Sequence, residues 1–302
     1  MLFIYNEAQR LAAYIDGSPE KVVIFMGGLG DGMGGLLWMD NGFKIADDWS
    51  LVRLDSRNAH AQWSIGTLEN DADDLHSLIT KLVDRQNTRK IVLIGHSTGC
   101  QDIVFLLSER HPETIKHLDG VILHSPVSDA EYIKYSFDPA LLQECIKRCQ
   151  GALEKHAQNN GKTYPGPLIG PLAPFEGLVL PEFYTNIVFS AKRFLSIVIE
   201  QGHEDFFSSY LSDEQLESRF KYLREIPLLL LMAEKDQFVP SSVDKKALLS
   251  RFEKAASHPN RSSSTPRSAF VLDDDHTVAT ETAIACFRSL ITKFVLNLDE
   301  YR

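Results

Sequence analysis

The spacing of apolar and polar residues divides this chain into regions of different character. Up to about residue 126, short apolar runs alternate with longer segments of helical periodicity. Residues 2–5 and 11–15 predict a short antiparallel pair, and residues 21–26 a strand that runs into a glycine-rich loop. Residues 49–54 predict another strand. Over 69–84, Ala72, Leu75, Leu78, Ile79 and Leu82 recur at steps of three and four, which places them on one face of a helix. An apolar run from Lys90 leads into a further helical pattern that ends near His111 and Pro112, and residues 118–124 form the next strand pattern.

The alternation then stops. Between about 127 and 220 the sequence predicts no new sheet strand. Helical patterns at about 139–157 and 186–200 flank a Gly/Pro-rich stretch, 161–181, where prolines block regular structure. Ser212 and Gln215 have capping-box spacing and predict a helix start, and the segment at Glu204 and Asp205 reads as a solvated helix start. Strand patterns return at 226–233 and 268–272, separated by a polar loop at 258–267, and a last helix begins near Ala279. Strands alternating with helices predict an α/β fold, a mostly parallel central sheet with helices on both faces. The core is expected from 1–126 and 221–302, with 127–220 inserted as a lid.

Bulk properties narrow the picture. The chain has 302 residues, 44% apolar and 24% charged, enough for one full-sized core. A formal net charge of -10 argues against nucleic acid or an anionic membrane as the main partner. No apolar run reaches the roughly 18 residues of a membrane span, and the start lacks the basic and apolar segments of a secretory leader. Cys100, Cys145, Cys149 and Cys286 have no disulfide-framework spacing and read as buried thiols in a reducing compartment, so a cytoplasmic location is expected.

The candidate chemistry centres on Gly95-His96-Ser97-Thr98-Gly99, between a strand and a helix. Such a turn exposes a strained serine at the sheet edge, with glycines where strand and helix approach closely. A serine hydroxyl needs a base, and the base needs an orienting group. In this kind of site the chain order is Ser, then acid, then His. Asp236, in the turn after the strand at 226–233, is the expected acid, with Glu234 as the rival. His276, in the loop after the last strand, is the expected base, and one of Asp273, Asp274 and Asp275 is a lesser candidate to orient it. His96 is expected to be structural and to point away from Ser97. His124 reads as a core or rim residue, and His60, His203 and His258 as solvated. The backbone N–H of Thr98 is one expected oxyanion donor; Gly28 or Leu29 supplies the second. The glycine loop lacks the full pattern and the acid of a dinucleotide fingerprint, and no His or Cys spacing suggests a metal, so no cofactor is expected.

The elbow extended through Cys100-Gln101-Asp102, the loop Gly27-Gly28-Leu29-Gly30-Asp31-Gly32 and the segment Asp205-Phe206-Phe207-Ser208-Ser209 together resemble an α/β-hydrolase family of fungi, plants and protists. One fungal branch of it includes esterases that open fusarinine-type siderophores. The resemblance spans almost the whole chain and implies that Ser97, Asp236 and His276 are a catalytic triad. The chain departs from the fungal pattern at 55–63, a loop expected to border the pocket. The expected function is a serine hydrolase acting on a small-molecule carboxylic ester, possible amides and thioesters included. A non-catalytic binding protein on the same fold and an acyltransferase are the alternatives.

Overall fold

The computed structural model describes residues 1–35, 44–158, 166–169, 188–257 and 268–301, the side chain of Ala61 apart. The Gly/Pro-rich stretch lies mostly outside them, and the loop at 258–267, with His258, entirely so.

An eight-stranded sheet forms the centre. Its strands in chain order are β1 (Leu2–Asn6), β2 (Leu11–Ile15), β3 (Lys21–Met26), β4 (Ser50–Leu54), β5 (Lys90–His96), β6 (Gly120–His124), β9 (Leu228–Ala233) and β10 (Ser268–Val271). They lie in the order β1-β2-β4-β3-β5-β6-β9-β10. The pairs β1–β2 and β2–β4 are antiparallel, and every pair from β4 to β10 is parallel. β5 therefore sits inside the sheet, flanked by β3 and β6, and its C-terminal end opens between two parallel neighbours. In open α/β sheets that is the end where sites form.

Successive side chains of a strand point to opposite faces, and here both faces are covered. Val22, Ile24, Ile91, Leu93, Leu228 and Leu230 pack into one cluster with helices α1 (Leu68–Gln86), α2 (Thr98–Phe105) and α7 (Lys245–Ala256). Val23, Phe25, Val92, Ile94, Leu229 and Leu231 pack into another with α8 (Glu281–Leu296). The five apolar residues predicted for the face of α1 are all fully buried. Thr67 caps that helix, and Asn87 ends it in the left-handed region at φ +55°.

The region between β6 and β9 contains α3 (Asp129–Ser136), α4 (Pro139–Gln158), the two-residue strands β7 (Leu168–Ile169) and β8 (Phe189–Ser190), α5 (Ala191–Val198) and α6 (Asp213–Phe220). Its packing divides. Ile133, Phe137, Leu142, Phe189, Phe194 and Ile197 form a third cluster, joined by Trp63 and Leu29 from the core loops. Phe206, Phe207, Leu216 and Phe220 instead join the first core cluster. The capping box at Ser212 is present in full. α3 escaped the periodicity because its eight residues carry polar side chains on most positions. No helix among the described residues is long and apolar enough to cross a membrane.

Candidate active site

Ser97 joins β5 to α2 at φ +54° and ψ -124°, a conformation that L-residues rarely adopt. Its N–H donates to the carbonyl of His124 at the end of β6, 3.0 Å away, which anchors the turn. A Cβ on Gly95 would lie 2.6 Å from the Gly99 carbonyl oxygen, and one on Gly99 would lie 2.2 Å from that of Met26. Backbone therefore passes backbone on both sides of the serine, and only glycine fits at these positions.

Ser97 and His276 line one pocket of about 170 Å3, together with Gly28, Leu29, Tyr132 and Phe238. Asp236 and His276 are both buried, and His276 Nδ1 meets Asp236 Oδ2 at 2.7 Å. A donor at Nδ1 leaves Nε2 as the ring's acceptor. Neither Nε2 of His276 nor the Ser97 hydroxyl makes a hydrogen bond among the described residues. The second oxygen of Asp236 accepts the N–H of Phe238 at 3.0 Å, and the Phe238 ring meets the imidazole edge-on at 4.6 Å. The loop that carries the histidine is bent at several points: φ is +58° at Asp273, +105° at His276 and +53° at Val278.

The other candidates fall elsewhere. Glu234 is exposed and accepts the N–H of Asp273 at 2.9 Å. Of the three neighbouring aspartates, none orients His276. Asp274 instead pairs with Nε2 of the fully buried His124 at 2.9 Å and accepts the N–H of Val278 at 2.7 Å. His60 and His203 are exposed.

His96 does not turn away from the site. It lines the same pocket as Ser97, because the positive φ at Ser97 breaks the strand alternation that would put neighbours on opposite faces. Its Nε2 donates to the His276 carbonyl at 2.6 Å, and the two rings lie 4.8 Å apart. Burial, and then repulsion from His276 and His124, hold the His96 ring well below the ordinary imidazole range. His96 is therefore a neutral donor that supports the backbone of His276.

The glycine loop after β3 forms a tight turn. The N–H of Asp31 donates to the Gly28 carbonyl at 3.1 Å, and Gly30, third in the turn, has φ +83° as a type II turn requires. Asp31 Oδ2 in turn accepts the N–H of Gly28 at 2.8 Å. A Cβ on Gly28 would stand 2.9 Å from the Ser97 Cβ, so this loop lies directly against the serine. Thr98, with its N–H in the first turn of α2, is buried. Sequence reasoning passed over Asp31, Tyr132 and Phe238, although Asp31 and Phe238 stand inside motifs it had singled out.

The loop at 55–63 contributes no lining residue to the Ser97 pocket itself. It borders an adjoining cavity of about 20 Å3 that shares Gly28, Leu29 and Asp31 with that pocket, with Asn58, Trp63, Asp71, Asp102 and Arg193 in its wall. Glu204 and Asp205 are not solvated. Glu204 pairs with the fully buried Arg193, and Asp205 accepts from Tyr210 (2.6 Å), Ser128 (3.2 Å) and the Gln201 N–H (2.9 Å). Cys100, Cys145 and Cys149 are buried and Cys286 is half-buried, all unpaired.

Among the described residues, folding brings together one set of possible metal ligands that linear spacing concealed: His76, His111 and Glu113, whose ligand atoms lie within 4.8 Å of one another. The two rings are stacked, 4.1 Å apart and 13° from parallel. Lone pairs in parallel ring planes do not converge on one ion. The His111 nitrogens also already meet Asp73 (2.9 Å) and Glu113 (3.3 Å).

Comparison with known proteins places this geometry. A family profile described as "Protein of unknown function (DUF1749)" matches residues 5–298. The fusarinine C esterase sidJ of Aspergillus fumigatus is 30% identical over 299 residues, with 85% of this chain and 83% of that protein covered. Among solved structures, the siderophore hydrolase EstB from Aspergillus fumigatus is 27% identical, with a TM-score of 0.71 and coverage of 100% and 98% of the two chains. An α/β-hydrolase fold protein of unknown function superposes with a TM-score of 0.64 at 17% identity, over 100% of this chain and 96% of its own. The fold is thus the α/β-hydrolase fold.

Proposed function

The chain belongs to the family described as "Protein of unknown function (DUF1749)", and from that premise we propose that it is a serine hydrolase that cleaves a carboxylic ester of a small molecule. The observation that carries this reading is the buried His276–Asp236 pair, 2.7 Å apart, whose histidine lines the pocket that Ser97 also lines from its strained turn. The names of the relatives, a fusarinine C esterase and a siderophore hydrolase, support ester cleavage and supply the first substrates to screen.

In this reading His276 Nε2 takes the proton of the Ser97 hydroxyl as Oγ bonds to the acyl carbon. The carbonyl π electrons move to oxygen. The tetrahedral intermediate collapses, the C–O bond to the leaving group breaks, and the His276 proton passes to the departing alkoxide. Water then adds to the acyl-enzyme with its proton going to Nε2, and collapse returns that proton to Ser97 and frees the acid. Asp236 keeps the imidazole in the Nδ1–H tautomer and stabilises its cation. The N–H groups of Thr98 and of the glycine loop meet the oxyanion. Gly28 was one of two loop candidates, but its N–H is taken by Asp31; that leaves Leu29, second in the turn, as the loop donor. No step calls on a cofactor.

The inserted region 127–220 serves as the lid. Its own apolar cluster, with Leu29 packed against it, supports this role. Unpaired and largely buried cysteines accord with a reducing compartment such as the cytoplasm.

The test is a fluorophosphonate probe read by intact mass, together with turnover of p-nitrophenyl acetate. Wild type should gain one adduct and hydrolyse the ester. Ser97→Ala should gain none and lose turnover by at least about three orders of magnitude with its fold unchanged. A folded wild type that neither labels nor turns over would favour a ligand-binding role on this fold instead.

A further inference from the structure

We infer that Asp31 is a positioning residue of the oxyanion loop: its carboxylate fixes the turn that turns the Leu29 N–H, and not that of Gly28, to the reacting carbonyl. The inference rests on the serine-hydrolase reading above and assigns a part to a residue outside the proposed triad.

Four observations carry it. The turn from Gly28 to Asp31 is closed twice, by Asp31 N–H to the Gly28 carbonyl at 3.1 Å and by Gly28 N–H to Asp31 Oδ2 at 2.8 Å. The second bond is charge-assisted, a stronger kind than a neutral pair. The loop is folded hard onto this carboxylate, since a Cβ on Gly27 would lie 2.4 Å from the Asp31 Cβ. The same turn touches the serine, because a Cβ on Gly28 would lie 2.9 Å from Ser97 Cβ. Finally, Asp31 itself lines the pocket, with its carboxylate 3.9 Å from His96 Nδ1. A Gly28 N–H bound to Asp31 cannot also meet an oxyanion. Among the described residues the Leu29 N–H has no hydrogen-bond partner, and it follows directly in the turn. Without the carboxylate, a loop of four glycines in six residues (27–32) has no other side-chain hydrogen bond among the described residues to hold that N–H in register.

A group that merely stabilised the fold would alter the melting temperature without separating kcat from KM. A group that aims an oxyanion donor acts on the transition state. Removing a donor outright reduces kcat by about 10²–10³, so releasing one into a mobile loop should do somewhat less. With p-nitrophenyl acetate, Asp31→Ala should lower kcat about 10- to 100-fold while KM stays within about 3-fold. Affinity for phenylboronic acid, which forms a tetrahedral adduct on an active-site serine, should fall by a matching factor. Asp31→Asn keeps an acceptor for the Gly28 N–H and should return kcat to within about 5-fold of wild type. If Asp31→Ala does not fold, Gly27→Ala, which displaces the carboxylate without deleting it, should show the same kcat loss. Wild-type kcat and boronate affinity in Asp31→Ala would overturn the inference, as would an Asp31→Asn variant as impaired as the alanine. Fluorophosphonate labelling separates the two readings. A wild type that labels and turns over beside an unimpaired Asp31→Ala rejects only the role of Asp31, whereas an unreactive wild type rejects both.

Discussion

Two buried carboxylates, Asp236 and Asp274, each meet an imidazole nitrogen, at 2.7 and 2.9 Å. Their histidines differ in one respect. His276 reaches the pocket that Ser97 lines, whereas His124 is sealed in the core. An amide at position 236 can offer N–H to Nδ1 and so favour the tautomer whose Nε2 carries the proton and cannot accept one. Asp236→Asn should therefore lower kcat by about 10³–10⁴ with little change in stability. Asp274→Asn should do the reverse. It should leave kcat within about 5-fold while lowering the unfolding free energy by about 1–3 kcal/mol, since a buried donor and acceptor lose their match. Parallel kinetics and urea melts of the two variants check both. A large kcat loss in Asp274→Asn alone would exchange their roles.

At the scale of elements, local pattern revealed most of the sheet and little of the insertion. Parallel strands buried on both faces are continuous apolar runs, and the helix at 68–86 repeats its apolar face over five turns, so each can be read without knowing its neighbours. The proposed triad was legible for a related reason: Ser97 and Asp236 stand just beyond such strands, and His276 lies in the loop after the short edge strand β10. Glu204 and Asp205 were misread because, beside local partners such as Ser196, Gln201 and Tyr210, each is held by one from farther along the chain. Arg193 is 11 residues away and Ser128 is 77 away. Arg193 is the sharpest case. It is an ordinary helix residue in sequence, yet in the structure it is 1% exposed, pairs with Glu204 and donates from Nε to the Trp63 carbonyl at 2.9 Å. The Trp63 ring lies 3.3 Å from where a Cβ on Gly30 would be, so α5 reaches the glycine loop through one tryptophan. Arg193→Met should remove about 3–5 kcal/mol of stability, because Glu204 is left buried and unpaired. Adding Glu204→Gln should restore part of it. Urea midpoints of the single and double variants test the coupling, and purely additive losses would contradict it.

Across the whole molecule, the charge that sequence counts as a net -10 is not all on the surface. Asp71, Asp102 and Asp129 share the field of Arg193, and each is pushed upward mainly by burial, Asp71 and Asp129 to about 6 and Asp102 well above its ordinary value. For a carboxyl whose folded pKa is raised, the folded state holds the proton more tightly than the unfolded chain. The stability gained from that proton is complete below the unfolded value near 3.8 and is lost as pH rises through the folded one. These three acids therefore weaken the fold progressively above about pH 4. Asp274 opposes them: burial pushes it up, but the hydrogen bond and charge of His124 together with the Val278 N–H and the His276 charge outweigh burial and hold it low, so its contribution fades only in acid. Asp102 is the clearest of the three to test, because among the described residues one of its buried oxygens has no hydrogen-bond partner, and it lies one helical turn after Thr98 without lining the pocket of Ser97 and His276. Asp102→Asn keeps the shape and removes the ionisation. Its melting temperature should exceed that of wild type at pH 8, and the difference should shrink steadily as pH falls to 4. A difference independent of pH would mean that Asp102 does not change its protonation on unfolding. A wild type more stable at pH 8 would mean that the ionised carboxylate is held by Arg193 strongly enough to outweigh its burial, and the cluster would then be a stabilising ion network.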